Sequence, residues 1–188
     1  MKAATKRICY YILALFLVWV TLPSFSFAQT TGYSGTGANI DVNYYLCQWT
    51  INPGASKNIA GSVTIRFKTV QPNVSSISID LNNSSFNNGS LSVTFQGIAC
   101  ARSFSGNKLT ITLPSSIAAI GTVDEIVVNY SGVPPAVSGQ AEGYQKKTVN
   151  TKQMIYTLSE SYEDRDWWPC KADMQDKADS LDIYITRF

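Results

Sequence analysis

Apolar residues recur at every second position along most of this chain, in short runs closed by Gly, Pro, Asn and Ser. The run Ser62-Val63-Thr64-Ile65-Arg66-Phe67-Lys68 places Val63, Ile65 and Phe67 on one face and Thr64, Arg66 and Lys68 on the other. A segment of period two with one apolar and one polar face is a strand packed on one side and wet on the other. The same alternation predicts strands over Tyr45 to Ile51, closed by Asn52-Pro53-Gly54, over Ile77 to Leu81 and over Leu91 to Gln96. Further strands are predicted over Leu109 to Leu113, stopping at Pro114, and over Ile126 to Tyr130, followed by a loop that holds Pro134-Pro135. Thr148 to Leu158 and Leu181 to Thr186 read as single strands, and Asn82 to Ser90 reads as a hairpin loop. No stretch keeps a helical period over two turns, a short turn near Met174 to Ala178 excepted.

Short strands punctuated by turn residues every ~8–12 positions predict an all-β fold, an antiparallel β-sandwich or saddle-shaped sheet pair. No period of fixed length repeats, which excludes a solenoid or propeller.

The first 28 residues change the picture of length and charge. Lys2, Lys6 and Arg7 precede an apolar run from Ile8 to Val20, Pro23 breaks it, and Ser26-Phe27-Ala28 supplies small residues for a cleavage site. That order is the signature of a secretory signal peptide, residues 1–28. The alternative, an uncleaved anchor, is disfavoured because the apolar run falls short of the roughly 20 residues a bilayer span needs. A Gly/Ser/Thr-rich flexible lead-in follows over 29–39, and one domain occupies 40–188. The leader carries three of the 15 basic residues and none of the 13 acidic ones, so the formal +2 of the whole chain becomes −1 without it. No basic stripe remains, and neither nucleic acid nor a membrane, beyond the leader, is expected as a partner. The expected location is outside the cytoplasm: periplasm, cell surface or extracellular space.

Cys47, Cys100 and Cys170 remain after the leader. In an oxidising compartment one disulfide can form and one thiol is left over. Cys47 and Cys100 both fall in strand-like sequence and are the candidate pair, while Cys170, beside Trp167, Trp168 and Pro169, reads as a buried, inert thiol. The chain holds no histidine at all. A His-Glu-x-x-His helix cannot be built, no C-x-x-C pair offers another metal site, and no Ser-His-Asp or Cys-His arrangement is available.

Chemistry-bearing residues gather near the end: Thr157-Leu158-Ser159-Glu160-Ser161-Tyr162-Glu163-Asp164-Arg165-Asp166-Trp167-Trp168-Pro169-Cys170-Lys171-Ala172-Asp173, then Lys177-Ala178. This run resembles the end of the N-terminal β domain of the M1 (gluzincin) zinc aminopeptidase family, whose pattern is Thr-Gln-x-Glu-Pro-x-x-Ala-Arg-x-x-Phe-Pro-Cys-x-Asp-Glu-Pro followed by Lys-Ala. Thr157, Glu160, Arg165, Pro169, Cys170, Lys177 and Ala178 match, Trp168 stands for Phe and Asp173 for Glu. Gly61 to Phe67, Leu109 to Pro114 and Val127 to Gly132 resemble the family's upstream strands. Leu158 stands where the family has Gln, and Met174 where it has Pro.

The resemblance implies a non-catalytic domain that covers a zinc-binding catalytic domain, encoded in cis or separately, and shapes one wall of its cleft for peptide N-termini. It implies a substrate contact for Glu160 alone, a carboxylate facing a free α-amino group. It also implies further strands beyond Phe188, so the domain reads as a fragment. No cofactor and no activity are expected of this chain by itself. Set beside this is a free-standing secreted binding module for a carbohydrate or protein partner, in which Trp167 and Trp168 form a stacking platform. Packing of both indoles in the core is the plainer reading of their place beside Pro169-Cys170. Arg165, between two aspartates, reads as structural.

Overall fold

A computed structural model describes residues 36–54, 58–136, 143–173 and 176–187. The leader, most of the lead-in and Met174 lie outside the described residues. The elements run β1 (Ile40–Ile51), β2 (Ile59–Thr69), β3 (Val74–Asp80), a one-turn helix α1 (Asn83–Phe86), β4 (Ser92–Phe95), β5 (Ile98–Ala99), β6 (Ala101–Ser105), β7 (Lys108–Ile117), β8 (Val123–Gly132), β9 (Gly143–Val149) and β10 (Lys152–Leu158). A 3-10 helix (Glu160–Asp166) and β11 (Ser180–Arg187) follow.

Six strands form one sheet in the order β11-β1-β2-β8-β4-β5, and three form a second in the order β3-β7-β6. The chain crosses from the first sheet to the second at Cys100, whose N–H still bonds to the Val93 carbonyl of β4 at 2.9 Å. Between the sheets lies one apolar core. Val63, Ile65 and Phe67 of β2 are wholly buried, as the alternation predicts, with Ile126 and Val128 of β8 and Ile79, Leu109 and Ile111 of the smaller sheet. Among the described strands every pairing is antiparallel except the last, β11 lying parallel to β1.

The differences from the sequence reading have local causes. β1 begins at Ile40, five residues before the predicted start, because a bulge at Asn43 shifts the phase between Val42 and Tyr45 and hides the alternation. Pro114 does not end its strand. It sits in an irregularity where Val74 pairs with Ile117 and Ser76 with Thr112, a place that needs no ladder N–H. The single strand predicted over 148–158 is a hairpin, β9 and β10, turning at Asn150 and Thr151 with φ of 47° and 65°. Two left-handed residues make the tight turn whose twist suits a hairpin, and Thr at such a site gives no composition signal. Within Asn82 to Ser90 the Asn82 side chain accepts from the Ser85 N–H at 3.0 Å and caps α1. Residues 176–178 are not helical.

The candidate Cys47–Cys100 bridge does not form: Cys47, Cys100 and Cys170 are all free. Cys47 lies on β1 and Cys100 beside β4, with β2 and β8 between. Strands ~4.8 Å apart put the two Cα atoms well beyond the ~7 Å limit of a disulfide.

Two glycines let bulky neighbours close in. In register Gly61 lies between Trp49 and Tyr130, and a Cβ there would come within 2.7 Å of Trp49 Cδ1 and 3.0 Å of Tyr130 Cε1. At Gly132 a Cβ would meet the Ser85 carbonyl oxygen at 2.2 Å. Because that obstacle is backbone, Gly132→Ala is expected to cost more than Gly61→Ala, which should lose about 1–3 kcal/mol in urea unfolding.

Burial also sets an alkaline limit. It pushes the Cys47 thiol from 9.0 to about 12 and the Tyr144 phenol from 10.0 to about 12, and raises Tyr45, Tyr130 and Cys170 well above their ordinary values. The folded chain keeps these protons at a pH where the unfolded chain releases them. Stability is therefore whole below about pH 8.5 and falls as pH rises toward 12. A thermal-midpoint series from pH 7 upward should stay flat and then drop. Thiol reagents should label Cys100, half-buried, ahead of Cys47 and Cys170.

Candidate functional site

The carboxyl end of β10 delivers the chain to the 3-10 helix whose first residue is Glu160. The Glu160 side chain is exposed and no hydrogen bond or ion pair holds its carboxylate among the described residues. Its backbone, by contrast, is strapped at both sides. Just before it, Ser159 Oγ accepts from the Trp167 indole N–H at 3.0 Å. Just after it, Tyr162 takes a left-handed φ of 81° and its ring packs against the core. A tyrosine holds such a conformation only where its surroundings fix it.

The far end of the 3-10 helix is tied to β3 through Asn82. Its N–H donates to the Arg165 carbonyl at 2.8 Å, and its amide N–H donates to Asp166 at 2.8 Å while its amide oxygen caps α1. Arg165 is half-buried and joins this tie through its backbone, in keeping with a structural part. Beyond it the chain enters the interior. Trp167 is packed against Trp49 at 4.9 Å and Tyr144 at 6.1 Å between centroids, and Trp168 stands edge-on to Tyr45 at 5.1 Å. Both indoles are used in packing, Trp167 buried and Trp168 partly buried, as the plainer reading expects. The Trp167 carbonyl accepts from the buried Tyr130 hydroxyl at 3.0 Å.

The following residues clamp the second sheet. Asp80 and Cys170 exchange two backbone hydrogen bonds, 2.7 and 3.1 Å, and an Asp80 carboxylate oxygen accepts from the Ala172 N–H at 3.1 Å. The Lys171 N–H donates to Tyr45 Oη at 2.9 Å, and its ammonium reaches the Ile40 carbonyl at 2.8 Å and forms a buried ion pair with Asp176. Burial pushes the Asp176 carboxyl up, and the Lys171 ammonium opposes that push. Cys170, as its sequence context suggests, is sealed, its thiol raised by burial.

Glu163 escaped the sequence reading. One of its carboxylate oxygens is shut from water with no hydrogen-bond partner among the described residues. An acid among Glu160, Asp164 and Asp166 carries no signal that would separate it from its neighbours.

The residues do not fit a zinc ion. The chain has no histidine, and among the described residues no three Cys, Asp or Glu side chains gather as a ligand set. A groove of about 420 Å³ on the outer face of the larger sheet is lined by Arg66, Gln96, Asp124 and Glu125. Its charges are met internally, Arg66 by Glu125 at 3.1 Å and Asp124 by the Gln96 amide at 2.8 Å.

Comparison with known proteins places the fold. No family model matches the sequence, and no curated protein matches it. Solved structures do. A variant of an M1 zinc metallopeptidase from Deinococcus radiodurans, bound to a Tyr-Ser-Ala substrate, superposes with a TM-score of 0.66 at 21% identity, over 82% of this chain and 34% of that one. The M1 zinc metallopeptidase from the same organism gives 0.63 at 23%, over 79% and 32%. Native yeast LTA4 hydrolase gives 0.60 at 16%, over 90% and 26%. The chain thus spans about a third of the length of the metallopeptidases it matches, and its fold is that of their N-terminal β domain.

Trp167→Ala should cost about 3–5 kcal/mol in urea unfolding, since it opens a cavity beneath three aromatic rings. Glu160→Gln, at an exposed and unpaired side chain, should stay within about 0.5 kcal/mol of the parent.

Proposed function

We propose that this chain is an exported, non-catalytic β domain that covers an M1-type zinc metallopeptidase catalytic domain, supplied in cis or as a separate chain. On this reading it lends Glu160 to the wall of a cleft for peptide N-termini. The observation that carries it is the contrast at Glu160: a carboxylate with no partner of its own on a backbone strapped by Ser159, Tyr162 and Asn82. A carboxylate left unpaired on a fixed backbone favours an incoming ammonium, because only its own side chain remains to be ordered when it binds. The likeness to a metallopeptidase that holds a tripeptide substrate supports the peptide as ligand class. Export rests on the order of residues in the first 28 positions.

The chain alone should release no arylamine from aminoacyl-arylamides; chelator-sensitive release would refute the reading. Added to an M1 catalytic domain lacking its own β domain, it should bind and restore hydrolysis. In that mixture Glu160→Gln should lower kcat/KM by roughly 10–100-fold, the loss of one charged hydrogen bond, with binding of the two domains unchanged. An unchanged kcat/KM would remove Glu160 from the cleft.

A further inference from the structure

Three ion pairs form among the described residues, and two of them stand open to water. Arg66 and Glu125 keep 49% and 45% of their side chains exposed, and Lys68 and Asp41 keep 45% and 35%. Charges so placed are solvated and stay charges. Lys171 and Asp176 differ, with side chains only 3% and 6% exposed. A buried pair needs good geometry and further hydrogen bonds to offset its lost hydration. Both are present. The Lys171 ammonium also donates to the Ile40 carbonyl at 2.8 Å, and Asp176 accepts from the Val42 N–H. Gly37 closes over the lysine stem: a Cβ there would stand 3.1 Å from Lys171 Cδ and 3.2 Å from Cε, at a φ of 66° that suits glycine. Nitrogen and carboxyl are thus held in contact where water is kept out.

A second carboxyl lies against this pair. Asp41 hydrogen-bonds the Asp176 carboxyl, and two carboxyl groups can bond side by side only by sharing a proton. Their surroundings decide which one carries it. The hydrogen bond from Lys68 holds Asp41 below the usual carboxylate range, whereas burial pushes Asp176 above it. Asp176 is therefore the acid of the two and Asp41 the base. A protonated carboxyl is the form whose carbon accepts a nucleophile, and an ammonium becomes a nucleophile only when a base takes its proton.

We infer that Lys171 and Asp176 condense after folding into an isopeptide bond, lysine Nζ joined to aspartate Cγ, with Asp41 as the proton acceptor. The Asp41 carboxylate takes one proton from the ammonium, and the freed lone pair adds to Cγ of the protonated Asp176 carboxyl. The bond from Cγ to the hydroxyl then breaks, and the hydroxyl leaves as water with a second proton from the nitrogen. One N–C bond forms, one C–O bond breaks, and nothing is oxidised or reduced. Asp41 returns its proton to solvent through its exposed side. The product replaces two buried charges by a neutral amide, and hydrolysis lacks its water in a site this dry. Neither of the other two pairs has that shelter. This inference is independent of the proposed function and needs no catalytic partner.

Peptide mass spectrometry of the folded, aged chain tests it. Trypsin cuts after Arg165 and Lys177, and an acylated Lys171 resists it. Residues 166–177 should therefore appear as one peptide, lighter by one water, with fragment ions placing the loss between positions 171 and 176. Lys171→Arg keeps the charge but cannot condense, so that chain should be cut after position 171 at full mass. Asp41→Asn, at a partly exposed site, should keep the parent's circular dichroism and show residues 166–177 at full mass at the same age. Cleavage after Lys171 at full mass in the parent would overturn the inference. So would a water loss that persists in Lys171→Arg, the mark of an aspartate closing on its own backbone, or an Asp41→Asn chain that condenses as fast as the parent.

Discussion

The fold turns on the seating of residues 167 to 172 between the two sheets. The Tyr130 hydroxyl holds the Trp167 carbonyl from the larger sheet, while Asp80 holds Cys170 and Ala172 from the smaller one. Each of these bonds lies in a dry interior, where a lost partner leaves a polar group with no water to turn to. The segment is therefore a joint between layers as much as a part of the core. It constrains what comes before it, since the carbonyl of Trp167 and its indole N–H fix where the 3-10 helix must end and where Ser159 must stand. The placement of Glu160 is a downstream effect of that joint.

Space for the joint is made by an omission in β2. Gly61 lacks a side chain in the middle of a central strand, where glycine is otherwise unfavourable, and Trp49 and Tyr130 close over it from either side. Trp49 can then lie against Trp167, and Tyr130 can reach the Trp167 carbonyl. One small residue thus allows three large ones to interlock, which explains a mid-strand glycine that alternation alone would count as a weakness.

Much of this was legible along the chain. The faces of β2, β4, β7 and β8 follow the two-residue period because each has a core on one side and solvent on the other, and the burial of Trp167, Trp168 and Cys170 follows from their company. Features that depend on through-space register were not legible. The phase change at Asn43, the tolerance of Pro114 and the Asn150-Thr151 turn all arise from how a strand meets its neighbour. The separation of Cys47 from Cys100 arises from strand order, which the alternation does not encode. At the candidate site, motif resemblance singles out Glu160, and the strapping of its backbone through Ser159 and Asn82 became visible only in three dimensions. Glu163, half-sunk in the same turn, had no pattern to mark it.

The three unpaired thiols among the described residues place a demand on how this molecule comes to be folded. Cys47 and Cys170 end up sealed on the inner side of the sheets, where no oxidant can find them. Before the layers close, each is an open reactant toward any oxidant the chain meets. A bridge formed at that stage between either of them and Cys100 would tie together elements that belong on different parts of the sandwich. In oxidising surroundings, closure of the core has to outrun oxidation of the chain. There, speed of collapse bears on the yield of correctly formed molecule beside final stability.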